Sequence, residues 1–178
     1  MKTLLRDLVT DIRMLFRVPV SAFFTVVFPS LMLIIMMASY GNPDIGSGIR
    51  LSDKYVLIAS GMGLVPLSLI TFPSWICSSV ESSYLLRLKY FHVSLARVAT
   101  SNALAHMVIA LCGTAATLAV GVLFYDTRIP GLPTLISYLL QLIVVTASLM
   151  LFGAALAFIV RQTAVAIAVG LVLMFVVY

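Results

Sequence analysis

Charge is scarce in this chain: six acidic and eleven basic residues make up 10% of 178, while 62% are hydrophobic. A soluble domain of this size has no means of hiding that much apolar surface behind so thin a polar exterior. Lipid is therefore the solvent. None of the acids, Asp7, Asp11, Asp44, Asp53, Glu81 and Asp126, falls inside an apolar run, and no two of them have catalytic spacing. With two histidines besides, the chain lacks the His/Asp/Glu/Cys cluster that a lipid-modifying membrane enzyme needs at an interface. It also lacks the intramembrane charge of a channel or proton-coupled carrier, His106 apart. Cys77 and Cys112 have neither metal-type spacing nor a disulfide framework, and they read as soft packing residues; no metal site is expected. A phosphate-binding loop is missing too. The nearest candidate, Gly41 to Gly48, has no Lys and reads as a turn. The net charge of +5 is neither interleaved with exposed aromatics nor gathered on a soluble domain, so nucleic acid is not an expected partner.

What is present is a series of long apolar runs, each near the roughly 20 residues that a helix needs to cross the hydrocarbon core. Stretches such as Leu31 to Met37 do not alternate, which excludes a transmembrane barrel. The expected fold is all-α: a polytopic transmembrane helix bundle forming one domain over residues 1–178. It has about five spans, at 20–39, 55–76, 99–124, 134–160 and 163–178, and an N-terminal interfacial amphipathic helix. The first run follows a charged stretch and is long enough to span, so a cleaved signal peptide is not expected. Pro66 and Pro73 should kink the second span. Lys2, Arg6, Arg13, Arg17, Arg87, Lys89, Arg97 and Arg161 lie on one side, against Arg50, Lys54 and Arg128 on the other. That asymmetry places the N-terminus in the cytoplasm. The fifth run reaches Tyr178 without a charged stop, which reads as a truncation before a last span, or else as an aromatic anchor at the headgroup level.

Residues 2–17 put Leu4, Leu5, Leu8, Ile12, Leu15 and Phe16 on one arc of a helical wheel, with Arg6, Arg13 and Arg17 opposite. Such a helix lies in the interface, its apolar face among acyl chains and its arginines among anionic headgroups. The other reading is a solvated flank that only enforces topology. Val18-Pro19 forms an elbow into the first span, because the residue before a proline avoids the helical region. The loop 78–98 is the longest internal polar segment. Its helix-forming Leu85, Leu86 and Leu88, together with Glu81, Arg87, Lys89 and His92, describe a short helix that docks a soluble partner or simply connects two spans.

Within the third span Asn102, His106, Gly113 and Thr117 share one face, flanked by Ala110 and Gly121. In lipid this is a packing seam, or a substrate path with His106 as its titratable element. Ser137, Gln141, Ser148 and Ala155 make a similar stripe on the fourth span, expected to pack as well.

Taken together, Arg17-Val18-Pro19, the Phe28-Pro29 step in the first span, and Glu81, Leu85, Arg87 and Leu88 in the loop resemble the permease subunits of ABC transporters of the type-2 exporter class. Ser83 stands where that pattern has Gly, His92 near where it has Pro, and Val80 where it has a basic residue. The resemblance implies a membrane subunit that works as a homodimer or paired permease in a plasma (inner) membrane. It would bind no cofactor of its own, since ATP is used by a separate ATP-binding cassette subunit. It also implies that Glu81, Leu85, Arg87, Leu88 and Lys89 couple to that subunit; on the reading of the residues themselves, Arg6, Arg13, Arg17 and Pro19 shape the surface helix and elbow, and Asn102, His106, Thr117 and Gln141 line a path or pack. Six spans are usual in that family, so five agrees with a missing last helix. A non-transporting or truncated scaffold, or a small carrier, is the alternative.

Overall fold

The computed structural model describes residues 2–17, 23–46 and 48–177. Eight α-helices follow in order: α1 (Lys2–Arg17), α2 (Phe28–Tyr40), α3 (Leu51–Pro66), α4 (Phe72–Glu81), α5 (Tyr84–Tyr90), α6 (Leu95–Tyr125), α7 (Leu132–Val160) and α8 (Thr163–Val177). No strand occurs among the described residues, so the all-α expectation holds. Phe23–Tyr40, Leu51–Glu81, Leu95–Tyr125 and Leu132–Val160 are long and apolar enough to cross a membrane, whereas α8 is a shorter apolar helix. The second of these spans is central: most of its apolar stretch is buried by its neighbours, while the other three turn most of theirs outward. Val18, Pro19 and Tyr178 lie outside the described residues, and with them the elbow and the aromatic anchor.

Polar residues set the helix ends. Asp53 Oδ2 accepts from the Arg50 amide at 2.9 Å and closes the start of α3. Ser94 caps α6, its Oγ accepting from the Arg97 amide at 3.4 Å, and α6 stops where Asp126 turns left-handed at φ 51°. Pro133 sits in the first turn of α7, where its missing N–H costs nothing. On the end of the bundle away from α1, Asn42 ties two helices together. Its Nδ2 donates to the Tyr125 carbonyl at 2.8 Å, and its Oδ1 accepts from the Ser52 amide at 3.0 Å.

Where Pro66 and Pro73 are expected to kink the second span, the helix changes type. Between α3 and α4 the chain makes a π-helical turn, Leu67–Thr71, after which the helix resumes with Phe72-Pro73-Ser74. The first span repeats the device: a π-helical turn over Phe23–Val27 leads into Phe28-Pro29-Ser30. A proline offers no amide to the carbonyl four residues earlier. Those carbonyls belong to Thr25 and Leu69, and each faces a glycine on another helix. A Cβ built on Gly113 of α6 would stand 2.1 Å from the Thr25 oxygen, and one on Gly170 of α8 would stand 2.4 Å from that of Leu69. Gly153 of α7 meets the neighbouring Ser68 oxygen at 2.4 Å in the same way. The distorted turns are thus seated where glycine lets a second backbone approach, as close packing in lipid requires.

Candidate functional site

The α1 end of the bundle gathers most of the ionisable side chains. Sequence position alone gives α1 an apolar arc, and Asp7 and Asp11, one turn apart, border it. In the structure Leu8, Ile12 and Leu15 of this arc turn onto the bundle: Leu15 is buried with Leu64, Leu67, Ala105 and Ile109, and Leu8 and Ile12 pack against that cluster, while the side chains of Leu4, Leu5 and Phe16 lie outside the described residues. The helix thus packs Leu8, Ile12 and Leu15 on protein and leaves Val9 and Met14 exposed, so it keeps an amphipathic surface while docked on the bundle. The bordering acids supply the reason. Asp7 Oδ2 pairs with Arg97 Nε at 3.1 Å, and Asp11 Oδ2 accepts from Ser101 Oγ at 2.5 Å, so α1 is pinned to the first two turns of α6. Arg6, Arg13 and Arg17 remain exposed on the outer side, as expected. Burial, together with the nearby Asp7, holds the Asp11 carboxyl above the usual carboxylate range against the lowering effect of Ser101. Burial, then Asp11 and Asp7, pushes the Tyr84 phenol up, so α5 shares the electrostatic neighbourhood of α1.

The loop carries a seven-residue helix, α5, entered through Ser83 at φ 56° and ψ 20°. That left-handed conformation is the one in which glycine is most at ease. His92, at φ 57°, closes the loop in the same region. Of the five residues expected to couple to a partner, Glu81 is exposed yet engaged: its carboxylate accepts from the amide and the hydroxyl of Thr163 and caps α8. Leu85 and Leu88 are half-buried, and Arg87 Nη2 donates to the Ser82 carbonyl at 2.9 Å. Lys89 is exposed. Leu86, Tyr90 and Phe91 are 68, 83 and 74% exposed, so the tip of the loop presents an apolar and aromatic surface beside two cations.

Inside the bundle the seam on α6 is real: Asn102, His106, Gly113 and Thr117 are all buried, with Ala110 and Gly121 beside them. His106 is fully buried, its Nδ1 2.9 Å from the Asn102 carbonyl and its ring edge-on to Phe72 at 5.3 Å. Thr117 donates to the Gly113 carbonyl at 3.0 Å. On α7 the structure differs from expectation. Ser137, Gln141, Ser148 and Ala155 face outward, and the packed face is Leu142, Thr146, Met150, Gly153 and Ala157. Gly153 decides the register, because it is the position at which α7 can come onto the second π turn. Cys77 is buried, its Sγ 3.6 Å from the Ala157 carbonyl, and Cys112 is exposed.

Sequence reasoning passed over Asp7, Asp11, Arg97, Ser101 and Thr163, all of which hold the α1 end together. A signal existed for the first two, in their spacing along the edge of the apolar arc. Among the described residues no group of three or more metal-ligating side chains comes together.

An all-α bundle that has, among the described residues, four helices long and apolar enough to cross a lipid bilayer is that of a membrane protein by length and composition. No family model, curated protein or solved structure matches it.

Proposed function

We propose that the chain is the membrane-spanning subunit of an ATP-driven exporter, paired with a second permease copy and powered by a separate ATP-binding subunit docked on α5. The observation that carries this reading is the loop tip. Leu86, Tyr90 and Phe91 are largely exposed beside Arg87 and Lys89, the two rings resting edge to face on each other. Exposed aromatic side chains flanked by cations are what a protein interface buries. The N-terminus is then cytoplasmic, in agreement with the basic residues gathered on that side. The root of the loop is tied to the bundle at two places: through Glu81 to α8, and through Leu95 onward to the α1–α6 clamp. A push on α5 reaches both.

The outward stripe of α7 supports pairing. Gln141, about 14 Å along the helix from Leu132, is exposed, and its side-chain amide makes no hydrogen bond to another described residue. In hydrocarbon a primary amide needs a partner, and a second copy presents the same stripe. The buried seam of Asn102 and His106 is the proposed path or its wall. Site-directed cross-linking from Leu86→Cys and Tyr90→Cys to co-expressed nucleotide-binding subunits from the same host tests the docking site. Cross-links confined to these positions support it. Equal labelling from Leu123→Cys at the opposite end removes it and leaves a membrane scaffold.

A further inference from the structure

At the end of the bundle away from α1, helices α3, α6 and α7 leave a cavity of about 350 Å³ lined by Val56, Leu111, Thr114, Leu118, Leu135 and Tyr138. Its wall is almost wholly apolar. The hydroxyls that reach it are already engaged: Ser60 and Tyr138 hydrogen-bond each other, and Thr114 donates to the Ala110 carbonyl at 3.1 Å. Nothing polar is left to hold a polar guest, so the cavity selects an apolar body. It is also long. Leu111 lies about 21 Å from the end of α6 at Tyr125, and Tyr138 about 9 Å into α7, at 1.5 Å per residue.

Above it, toward the helix ends, a second and more open cavity of about 560 Å³ is lined by Gly48, Asp53, Lys54 and Arg128 among others. Leu57 and Pro130 line both, so the apolar slot adjoins a mouth that is itself mostly apolar but carries Asp53, Lys54 and Arg128 in its lining. The two cations there are free of carboxylate partners. Among the described residues the ion pairs are Arg50–Asp126 and Arg97–Asp7. Asp53, the acid in the mouth, uses one oxygen on the Arg50 amide and the other on the Arg128 amide, at 2.9 and 2.8 Å. Lys54 sits in the first turn of α3 and Arg128 in the connection from α6 to α7, where a spanning bundle meets the headgroups.

We propose that the two cavities form one binding site for an anionic phospholipid, with an acyl chain in the slot between α3, α6 and α7 and the phosphate between Lys54 and Arg128. Both volumes fall in the range of small-molecule sites, about 300–1,000 Å³. The pairing of a dry slot with adjoining unpaired cations matches an amphiphile of this charge, whereas free phosphate has no chain to bury. The site does not depend on the transport reading, since none of its residues belongs to the loop or the clamp.

The test is lipid retention by the purified full chain in nanodiscs, read with spin-labelled phosphatidylglycerol and phosphatidylcholine of the same chain length. The wild-type chain is expected to prefer phosphatidylglycerol. The double variant Lys54→Gln/Arg128→Gln should lose about fivefold of that preference for each cation removed, with phosphatidylcholine unchanged. Ala115→Phe, which fills the slot from an exposed position, should weaken retention of both lipids while the unfolding midpoint stays at the wild-type value. An unchanged preference in the double variant, unchanged retention in Ala115→Phe, or displacement of the lipid by millimolar inorganic phosphate would each overturn the site.

Discussion

Glu81 and Thr163 stand 82 positions apart, yet the Thr163 amide donates to Glu81 Oε1 at 2.9 Å and its hydroxyl donates to Oε2 at 2.5 Å. The carboxylate sits on the positive end of α8, where an anion is favoured. This contact joins the end of α4, from which the loop carrying α5 departs, to the start of α8. Replacing Glu81 with Ala should speed hydrogen exchange at the first-turn amides of α8, and Thr163→Val should do the same. Unchanged exchange in both would mean that the cap is dispensable and that Glu81 is free to meet a partner.

Glycine to alanine has opposite signs under the π-helical turns and at Gly61 of α3. Ala at Gly113, Gly153 or Gly170 puts a Cβ within 2.4 Å of a backbone oxygen that has no room to yield. Each variant should cost about 1–3 kcal/mol, read as a lowered thermal midpoint in detergent. At Gly61 an added Cβ meets nothing within 4 Å. Ala there should stabilise α3 by up to ~1 kcal/mol.

Ser83 and His92 carry the loop through left-handed backbone. Ser83→Gly removes a strain of about 1–2 kcal/mol and should raise the midpoint. His92→Pro should disrupt the loop, because proline is held near φ −65° and cannot donate the His92 amide to the Lys89 carbonyl. The family pattern that has Gly and Pro near these places is thus compatible with the loop at the first and not at the second.

Asp11 makes the clamp of α1 sensitive to pH. Its folded pKa is raised, so the docked state binds a proton more tightly than the undocked one. The destabilisation from burying its carboxylate is complete above the raised value and is relieved as pH falls toward the ordinary carboxylate range. Spin labels on α1 should report tighter docking at acidic than at neutral pH, and Asp11→Asn should flatten the dependence. A clamp that loosens on acidification would show that the Asp7–Arg97 pair dominates instead.

Gln141 offers a direct reading of pairing. Gln141→Leu should weaken self-association in a bilayer by about 0.6–2 kcal/mol, measured by energy transfer between labelled copies. Gln162→Leu, outside the spans, should leave it unchanged.

The spans and the interruption of the second helix at its prolines were legible because hydropathy and proline act locally. The stripe on α7 was not. A helix in lipid has an apolar solvent on one side and an apolar core on the other, so Ser137 and Gln141 look as fit to pack as Thr146 and Gly153 until the glycine meets the Ser68 carbonyl. The α1 clamp was half legible: the apolar arc shows in the wheel, but its partners Arg97 and Ser101 are some 90 residues away. Glu81 shows the same limit, since a capping group is sought within a few residues of the helix it caps and this one comes from another span.

The central claim is that a partner ATPase docks on α5, and affinity purification of the tagged full chain from its own host membranes measures it most directly. The account predicts a co-purifying P-loop protein in near-equal amount, ATP hydrolysis in the eluate, and loss of both on Arg87→Glu/Lys89→Glu with the bundle still folded. An eluate with neither nucleotide-binding protein nor hydrolysis, or one in which the charge reversals change nothing, would contradict it.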